Sequence, residues 1–180
     1  MATNHTLKTS DNVLVLKELI KELSPEESIL LLSKKFQNKT IFSTSLGIED
    51  QAITEMIYRT KADVKIFTLD TGRHFEETYE LYDKTVRTYD LPIEVFYPES
   101  KDIENLYRQK GAHSFYNSVE DRKECCYLRK VKPLKRALSG MDLWITGIRR
   151  EQSENRNSLD IIEIDESNQI FKYHPILEWI

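Results

Sequence analysis

Four strand-length runs of apolar or β-branched residues recur along the chain, separated by stretches with helical periodicity. The runs are TIFSTS (40–45), VKIFTL (64–69), IEVFYP (93–98) and LWITGI (143–148). Parallel strands need a crossover between them, and that crossover is nearly always a helix. The alternation therefore predicts an α/β fold in which helices flank a mainly parallel sheet.

Three of the helical stretches have clear signatures. One segment has apolar side chains at helical spacing, at Val13, Leu16, Ile20 and Leu23. The SPEE segment (Ser24 to Glu27) supplies a Ser cap, a Pro in the first turn and a Glu in the capping-box position, which predicts the start of a second helix. A third stretch carries apolar residues at Ile48, Ala52, Ile53, Met56 and Ile57.

The end of the chain predicts a short hairpin. DIIEI (160–164) and IFKY (170–173) are separated by the turn-rich DESNQ, a pattern typical of two antiparallel strands. No repeat, low-complexity tract or linker interrupts the sequence. We therefore expect one domain over residues 1–180.

Composition excludes several classes of protein. With 39% hydrophobic and 31% charged residues and a net charge of −4, the chain resembles an ordinary globular domain with one core, and its acidic balance argues against a nucleic-acid partner. No apolar run approaches the roughly 18 residues of a membrane span. The N-terminal MATNHTLKTSDN lacks the apolar centre of a signal peptide, so we expect a cytoplasmic protein with reduced thiols.

One local segment is strongly basic, against the overall charge. It carries seven cations, at Arg122, Lys123, Arg129, Lys130, Lys132, Lys135 and Arg136. Such a cluster suggests an anionic ligand. A solvated helix face balanced by Glu120, Asp121 and Glu124 explains the same residues equally well.

The chain's only two cysteines, Cys125 and Cys126, are adjacent and lie in this basic segment. A disulfide between neighbours is strained, because adjacent Cα atoms lie about 3.8 Å apart. A zinc or iron–sulfur site usually needs four ligands, and His5, His74, His113 and His174 show no metal-ligand spacing. Two buried thiols packed as small hydrophobes remain an alternative. We expect the pair to lie near a helix N-terminus, where thiolates are favoured.

Polar segments follow three of the predicted strands: STSLG (43–47), LDTG (69–72) and GIRREQS (147–153). In an open α/β sheet, ligands bind beyond the carboxyl ends of the strands, so we expect these segments to meet in one cleft. STSLG suggests an anion site at a helix N-terminus, although an ordinary helix cap explains STSLG equally well. STSLG is neither a Walker nor a dinucleotide motif. In LDTG, Asp70 could likewise cap the helix after Gly72. In the third segment and the residues just after it, Arg149, Arg150 and Arg156 suit bidentate contacts to phosphate or sulfate oxygens, or belong to a solvated loop.

Together these segments are far more specific than any one alone. STSLGIED, LDTGRHFEETYEL, KECCYLRKVKPLKRAL, WITGIRREQSENR and YHPILEW, in that order, resemble the assimilatory sulfonucleotide reductases over about residues 40–180. That family, with an adenine nucleotide alpha hydrolase-like (PP-loop) fold, reduces adenylyl sulfate or its 3′-phosphorylated form to sulfite, with thioredoxin as electron donor. The tandem cysteines resemble the iron–sulfur branch, the adenylyl-sulfate reductases of sulfate assimilation and cysteine biosynthesis.

The resemblance implies a role for each segment. The loop that receives the phosphosulfate is Ser43, Thr44, Ser45, Leu46 and Gly47. The segment that lines the adenosine, including that of the AMP product, is Leu69, Asp70, Thr71 and Gly72. The arginine loop that covers the substrate contributes Arg149, Gln152, Ser153 and Arg156.

The same resemblance implies a [4Fe–4S] cluster with Cys125 and Cys126 as two of its four ligands. Lys130 matches the family lysine between cluster and substrate, and four residues beyond Cys126 it shares a helix face with that thiolate. The cluster is expected to order the site and tune its electric field.

The chain departs from the family pattern at its end. Family members continue into a Cys-x-x-Cys pair that completes the cluster and a Glu-Cys-Gly-Leu-His segment with the attacking thiol, and neither is present in these 180 residues. We therefore expect a truncated chain that is inactive alone. Its oligomeric state stays open, with a homo-oligomer among the options.

Other functions also fit parts of the sequence. We expect adenylyl sulfate to be preferred, because no segment offers an obvious basic pocket for a 3′-phosphate, but a phosphoadenylyl-sulfate reductase is the alternative. An adenylating PP-loop enzyme or sulfate adenylyltransferase subunit typically carries a Ser-Gly-Gly-x-Asp-Ser-type loop, which STSLGIED does not match. A non-catalytic nucleotide-binding module, or a dimer that shares zinc through two cysteine pairs, are further alternatives.

Overall fold

The computed structural model describes residues 8–180. Residues 1–7, which include His5 and the beginning of the polar N-terminal stretch, lie outside the described residues. The α-helices are α1 (Ser10–Ile20), α2 (Pro25–Lys35), α3 (Ile48–Thr60), α4 (Glu76–Tyr89), α5 (Ser100–Lys110), α6 (Val119–Cys126) and α7 (Lys132–Leu138). The strands are β1 (Thr40–Ser43), β2 (Lys65–Leu69), β3 (Ile93–Phe96), β4 (Leu143–Ile145), β5 (Ile162–Asp165) and β6 (Ile170–Tyr173).

The strands form a six-stranded sheet in the order β3-β2-β1-β4-β6-β5. β4 pairs in parallel with both β1 and β6, whereas β5 and β6 form the predicted antiparallel hairpin. The predicted α/β fold with a mainly parallel sheet and flanking helices is confirmed. β1 and β4 end earlier than predicted, so Thr44 to Gly47 and the residues after Ile145 are free to form loops.

The chain divides into two compact units, one comprising residues up to Ile66 with Gly140–Ile180, the other comprising Phe67–Ser139. The core of the first unit consists of apolar side chains from β1, β4 and β6 together with α2 and α3. Its fully buried members include Ile29, Leu32, Phe42, Ile53, Leu143 and Ile145. A strand buried on both faces reads as a continuous apolar run, as these do. One domain over residues 1–180 stays a prediction.

The first two helices follow the predicted signals closely. Ser24 caps α2 through the N–H of Glu27, and the Glu27 carboxylate accepts from the Ser24 N–H, which completes the capping box before Pro25. α1 ends at Ile20, one turn earlier than the apolar spacing suggested. The N–H of Leu23 donates to the Ile20 carbonyl in the turn that follows.

In the second unit, one helical run spans α6, a π-helical turn at Tyr127–Val131, and α7. The N–H of Lys132 donates five residues back, to the Tyr127 carbonyl. Pro133 follows at once, and its ring would clash with the carbonyl four residues earlier in a regular α-helix. The wider π turn relieves that conflict, and such turns are frequent at functional sites.

This geometry corrects one prediction. Cys125 and Cys126 are the last two residues of α6, which begins at Val119 after its Ser118 cap. They lie within a continuous helical run, so the expected proximity to a helix N-terminus is wrong. Among residues 8–180, no helix has the length and apolar character needed to cross a membrane.

Candidate functional site

The loop after β1 is held by its own hydroxyl groups. The Trp144 Nε1–H donates to Ser43 Oγ at 2.9 Å, and Thr44 Oγ1 accepts the Leu46 N–H at 2.9 Å. Leu46 is buried with φ +66°, a conformation that is uncommon for a residue with a side chain. The loop ends at Gly47, the N-cap of α3, so the predicted helix start after STSLG is confirmed.

Asp50, in the first turn of α3, closes this loop. Its Oδ2 accepts the Ser45 N–H at 2.6 Å and the Ser45 hydroxyl at 2.7 Å. The side chain is only 7% exposed, and burial raises its pKa above the ordinary 3.8. The donors of Ser45, expected to face an anion, are thus bound to a carboxylate in this structure.

Gly147 packs against the same carboxylate. A Cβ at this position would lie 2.0 Å from Asp50 Oδ1, closer than any real contact allows. Only a glycine lets the backbone after β4 approach Asp50 so closely. The ends of β1 and β4 therefore meet through Asp50 and Gly147.

The arginine loop also contacts α3. Glu49 Oε1 accepts from Arg149 Nε at 3.1 Å, Arg149 Nη2 at 2.9 Å and Gln152 Nε2 at 2.8 Å. The pKa of Glu49 is lowered, first by a backbone hydrogen bond at Glu49 itself and then by Arg149. Arg156 donates to the Arg149 carbonyl at 3.3 Å and to Gln152 Oε1, while Ser153 is partly exposed. Two of the three predicted polar segments thus come together in the first unit.

Sequence reasoning missed two residues of this arrangement, Glu49 and Asp50, which organise both loops. Arg150 was expected to bind an anion together with Arg149 and Arg156, but it donates to the carbonyls of Asn157 and Leu159 at 2.8 and 2.9 Å and to the Glu178 carboxylate. For the two missed residues, the available signal was the acidic pair that follows STSLGI in the sequence. A carboxylate there opposes the expected anion site, which is why the pattern could have indicated a partner for Arg149.

The LDTG segment belongs to the second unit, where Asp70 holds its turn. The Asp70 carboxylate is buried and accepts the Gly72 N–H at 2.7 Å and the Tyr79 hydroxyl at 3.0 Å. Gly72 has φ +71°, a region that favours glycine. α4 begins at Glu76 after Phe75, so the alternative in which Asp70 caps that helix is wrong. The Leu69 carbonyl lies 3.0 Å from His74 Nε2, within hydrogen-bond distance.

The two thiols have different surroundings. Cys125 is buried and Cys126 is exposed, and both are free. Packing as small hydrophobes therefore fits Cys125 alone. Lys130 is exposed four residues beyond Cys126. Soft thiolates suit zinc or an iron–sulfur cluster, but the described part of the chain contains no cluster of three or more His, Cys, Asp or Glu side chains able to hold a metal. Two thiols alone are fewer than the four ligands that such a site usually needs.

Two acidic residues of the basic segment pair with a cation outside the segment, not with the segment's own cations. Asp121 and Glu124 pair with Lys110 of α5, at 2.7 and 2.6 Å. Lys132 pairs with Asp102, and Arg136 with Glu99. Apart from these two paired residues and the buried Arg129, the cations of the segment are all exposed: Arg122, Lys123, Lys130 and Lys135.

The tail of the chain anchors a buried histidine. His174, fully buried, lies with Nδ1 2.6 Å from Thr146 Oγ1 and Nε2 3.4 Å from Glu163. Burial lowers its pKa below the ordinary 6.5, helped by the nearby charge of Lys172. This places the YHP segment against the residue that follows β4.

Comparison with known proteins places this arrangement in a family. Residues 39–180 match the Phosphoadenosine phosphosulfate reductase domain. The chain is 46% identical over 150 residues to the adenosine 5′-phosphosulfate reductase of Rhizobium meliloti (strain 1021). The aligned region covers 83% of this chain and 57% of that relative. The chain thus spans less than two thirds of that relative's length.

Two solved structures share the fold. A phosphoadenylyl-sulfate (PAPS) reductase from Candida auris, in a phosphate complex, aligns with a TM-score of 0.78 and 28% identity over 96% of this chain and 82% of that chain. Yeast FAD synthetase in complex with FAD aligns at 0.50 and 14% identity over 97% of this chain and 58% of that one, a likeness of fold alone. Sequence and structure agree, and the chain belongs to the phosphoadenosine phosphosulfate reductase domain family.

Proposed function

We propose that this domain binds adenylyl sulfate and serves its reduction to sulfite and AMP, with thioredoxin as the electron donor. The observation that carries the proposal is the 46% identity to a protein named adenosine 5′-phosphosulfate reductase, joined to the tandem cysteines. A cytoplasmic location fits this role, because a reducing compartment keeps both thiols available.

In the first unit, the proposed receiver of the phosphosulfate is the loop after β1, with the arginine loop above it. Its residues are Ser43, Thr44, Ser45, Leu46, Gly47, Arg149, Gln152, Ser153 and Arg156. Because Arg149 and Gln152 both donate to Glu49, an incoming sulfate or phosphate must share or replace that carboxylate. Ligand binding and rearrangement of the Glu49 contacts are therefore expected to occur together.

In the second unit, we propose that Leu69, Asp70, Thr71 and Gly72 line the adenosine. Their backbone is fixed by the buried Asp70 carboxylate, which leaves a rigid edge for a flat ring. Lys130 is exposed and is proposed to place its charge toward the sulfate. No carboxylate holds Lys130 within residues 8–180, so its charge remains available to a ligand.

Cys125 and Cys126 are proposed as two ligands of a [4Fe–4S] cluster, whose other two thiolates this pair does not supply. When bound, such a group would order the site and add a local electric field. A dimer that shares zinc through two such pairs is the competing arrangement. Iron with acid-labile sulfide in the purified active enzyme supports the cluster, whereas zinc at one ion per two chains overturns it.

The proposed chemistry is a two-step exchange at sulfur. A cysteine thiolate other than Cys125 and Cys126 attacks the sulfate sulfur. The S–O bond to the phosphate breaks and AMP leaves, so that an S-sulfocysteine remains. A thioredoxin thiolate then attacks the cysteine sulfur and sulfite departs with the bond pair, after which the second thioredoxin thiol resolves the mixed disulfide. Cations near the sulfuryl oxygens stabilise the developing charge.

A second candidate substrate is the 3′-phosphorylated form, favoured by the family description and by the Candida auris structure. We propose adenylyl sulfate instead, because the tandem cysteines mark the cluster-containing branch. Comparing kcat/KM for the two substrates in the active enzyme tests the choice. Equal or faster turnover of the phosphorylated substrate contradicts it.

The binding proposal is tested by calorimetry on this chain. Adenylyl sulfate should bind and AMP should compete with it. Arg149→Ala should weaken binding by about 1.5–3 kcal/mol, the usual loss of a charge-assisted hydrogen bond. Arg59→Ala is the matched control, because Arg59 pairs with Glu26 at an exposed site of the same unit. No heat and no competition at millimolar ligand would contradict the proposal.

A further inference from the structure

Arg129 occupies a core position of the cysteine-bearing helical run. Buried residues recur there at every fourth position, at Cys125, Arg129, Pro133 and Ala137, while the neighbours Cys126 and Lys130 are exposed. Arg129 is only 4% exposed. An always-charged guanidinium thus lies where the pattern of a helix predicts an apolar side chain.

The contacts of Arg129 reach two other parts of the second unit. Nη1 donates to the Thr71 carbonyl at 2.5 Å, and Nη2 donates to the Tyr107 hydroxyl at 3.0 Å. The guanidinium also lies 5.6 Å from the centre of the Tyr107 ring. One buried side chain therefore ties the helix of the cysteine pair to α5 and to the LDTG segment.

All of these partners are neutral. No carboxylate within residues 8–180 pairs with Arg129, and its buried Nε has no hydrogen-bond partner there. Burying a charge is costly unless it is paired, so a guanidinium kept in a core position calls for a reason beyond packing. The neighbouring Arg73 repeats the pattern, since it donates to the Ala112 carbonyl, lies 4.6 Å from the centre of the Phe115 ring, and has an unpartnered buried Nε.

Gly72 shows how close the approach is. A Cβ at Gly72 would lie 3.4 Å from Arg129 Nη1, at van der Waals contact, and the φ of +71° at this position itself favours glycine. The turn between Thr71 and Arg73 thus lies directly against the guanidinium.

We propose that Arg129 is a positioning residue that sets the backbone of the LDTG segment from the helix of the cysteine pair. It couples nucleotide binding at Leu69–Gly72 to the state of Cys125 and Cys126. The nucleotide part of this inference rests on the function proposed above. Within residues 8–180, the hydrogen bond from Arg129 to the segment goes to the Thr71 backbone carbonyl, so its effect on a ligand is indirect.

The first test needs no ligand. Amide exchange at Gly72 and Arg73 should rise at least about tenfold in Arg129→Met. The turn loses a charge-assisted hydrogen bond, and the free energy of such a bond corresponds to a factor of at least about ten in the opening equilibrium. Arg129→Lys should restore part of the protection, because an ammonium still donates to the Thr71 carbonyl. Exchange in α1 and α2 should not change. Unchanged exchange at Gly72 in Arg129→Met, with Lys135→Met as the exposed control, overturns the proposal.

The second test measures AMP binding and maleimide labelling of the exposed Cys126 on the same proteins. In the wild type, AMP should slow the labelling, and Arg129→Met should both weaken AMP binding and abolish that effect. If the wild type binds AMP and Arg129→Met binds it equally well, the inference fails. If the wild type does not bind AMP, the proposed function fails and the exchange at Gly72 still decides the role of Arg129.

Tyr107→Phe covers the case in which Arg129→Met does not fold. It keeps the aromatic ring and removes only the hydroxyl that accepts from Nη2. Exchange at Gly72 should rise less than in Arg129→Met but more than in Lys135→Met. Exchange equal to that of the Lys135→Met control would overturn the proposal.

Discussion

At the scale of single residues, Asp50 is the point where the two loops of the first unit are fixed. Its carboxylate takes both donors of Ser45 and leaves no room for a side chain at Gly147. A buried carboxylate with a raised pKa next to an obligatory glycine is costly to keep for packing alone. Its position at the ends of β1 and β4 agrees with a role in shaping the ligand loop.

The contact between Gly147 and Asp50 predicts a specific non-additivity. Gly147→Ala should lower the free energy of unfolding by about 1–3 kcal/mol, because the new methyl group overlaps the Asp50 carboxylate. In an Asp50→Ala background the same substitution should cost much less, since the overlapping atoms are gone. Urea denaturation of the four proteins measures the difference. Equal costs in both backgrounds would show that the close approach is unimportant.

His174 predicts a pH dependence of stability. Its folded-state pKa is lowered by burial, while the unfolded chain titrates near 6.5. The stability contributed by the neutral imidazole is therefore complete above pH 6.5 and is lost as the pH falls through the lowered folded pKa. The charged groups around it are Lys172, Glu163 and Arg156.

His174→Gln isolates this contribution, because glutamine retains hydrogen-bonding atoms and does not titrate. From pH 6.5 downward, the wild type should lose more unfolding free energy than the variant. Chemical denaturation across that range makes the comparison. Parallel pH profiles for the two proteins would refute the assignment.

At the scale of elements, the arginine loop is held by the guanidinium of Arg150. Arg150 bonds two carbonyls of the segment after the loop and the carboxylate of Glu178. Arg149 and Arg156, by contrast, point to groups inside the loop and to Glu49. We therefore propose that Arg150 orders the loop, whereas Arg149 and Arg156 exchange their present partners for a ligand.

This division predicts the effect of Arg150→Met. Amide exchange over residues 149–159 should rise, and adenylyl sulfate binding should weaken through loss of loop order. Arg149→Ala should also weaken binding, but it should raise exchange at Asn157 and Leu159 less than Arg150→Met does. Exchange mass spectrometry measures both variants. Unchanged exchange in Arg150→Met would contradict the proposed role of this residue.

Local signals explain which elements could be predicted from sequence. The Ser24 cap with Pro25 and Glu27 is a self-contained arrangement, and the structure reproduces it. The π turn before Pro133 could not be read in the same way, because the pattern of cations and cysteines resembles an ordinary helix. The prediction that the cysteines lie near a helix N-terminus is wrong for a separate reason, because α6 begins at Val119 and they are its last two residues.

At the scale of the whole molecule, the fold and the candidate segments were predictable, but their internal pairing was not. Strand-length runs predict the sheet, and strand ends predict where polar loops lie. Sequence spacing says nothing about contacts between residues 100 positions apart, such as Glu49 with Arg149. In the structure, the groups expected to bind an anion are bonded to carboxylates instead: Ser45 to Asp50, and Arg149 to Glu49.

The measurement that tests the account most directly is amide exchange of this chain with and without adenylyl sulfate. We predict added protection at residues 43–47, 69–72 and 149–156, and none at α1. AMP should reproduce the protection at 69–72 and leave less at 149–156, because it lacks the sulfate. Protection absent from all three segments, or confined to the cavity lined by Lys8, Lys35, Lys39 and Asp142, would contradict the proposed site.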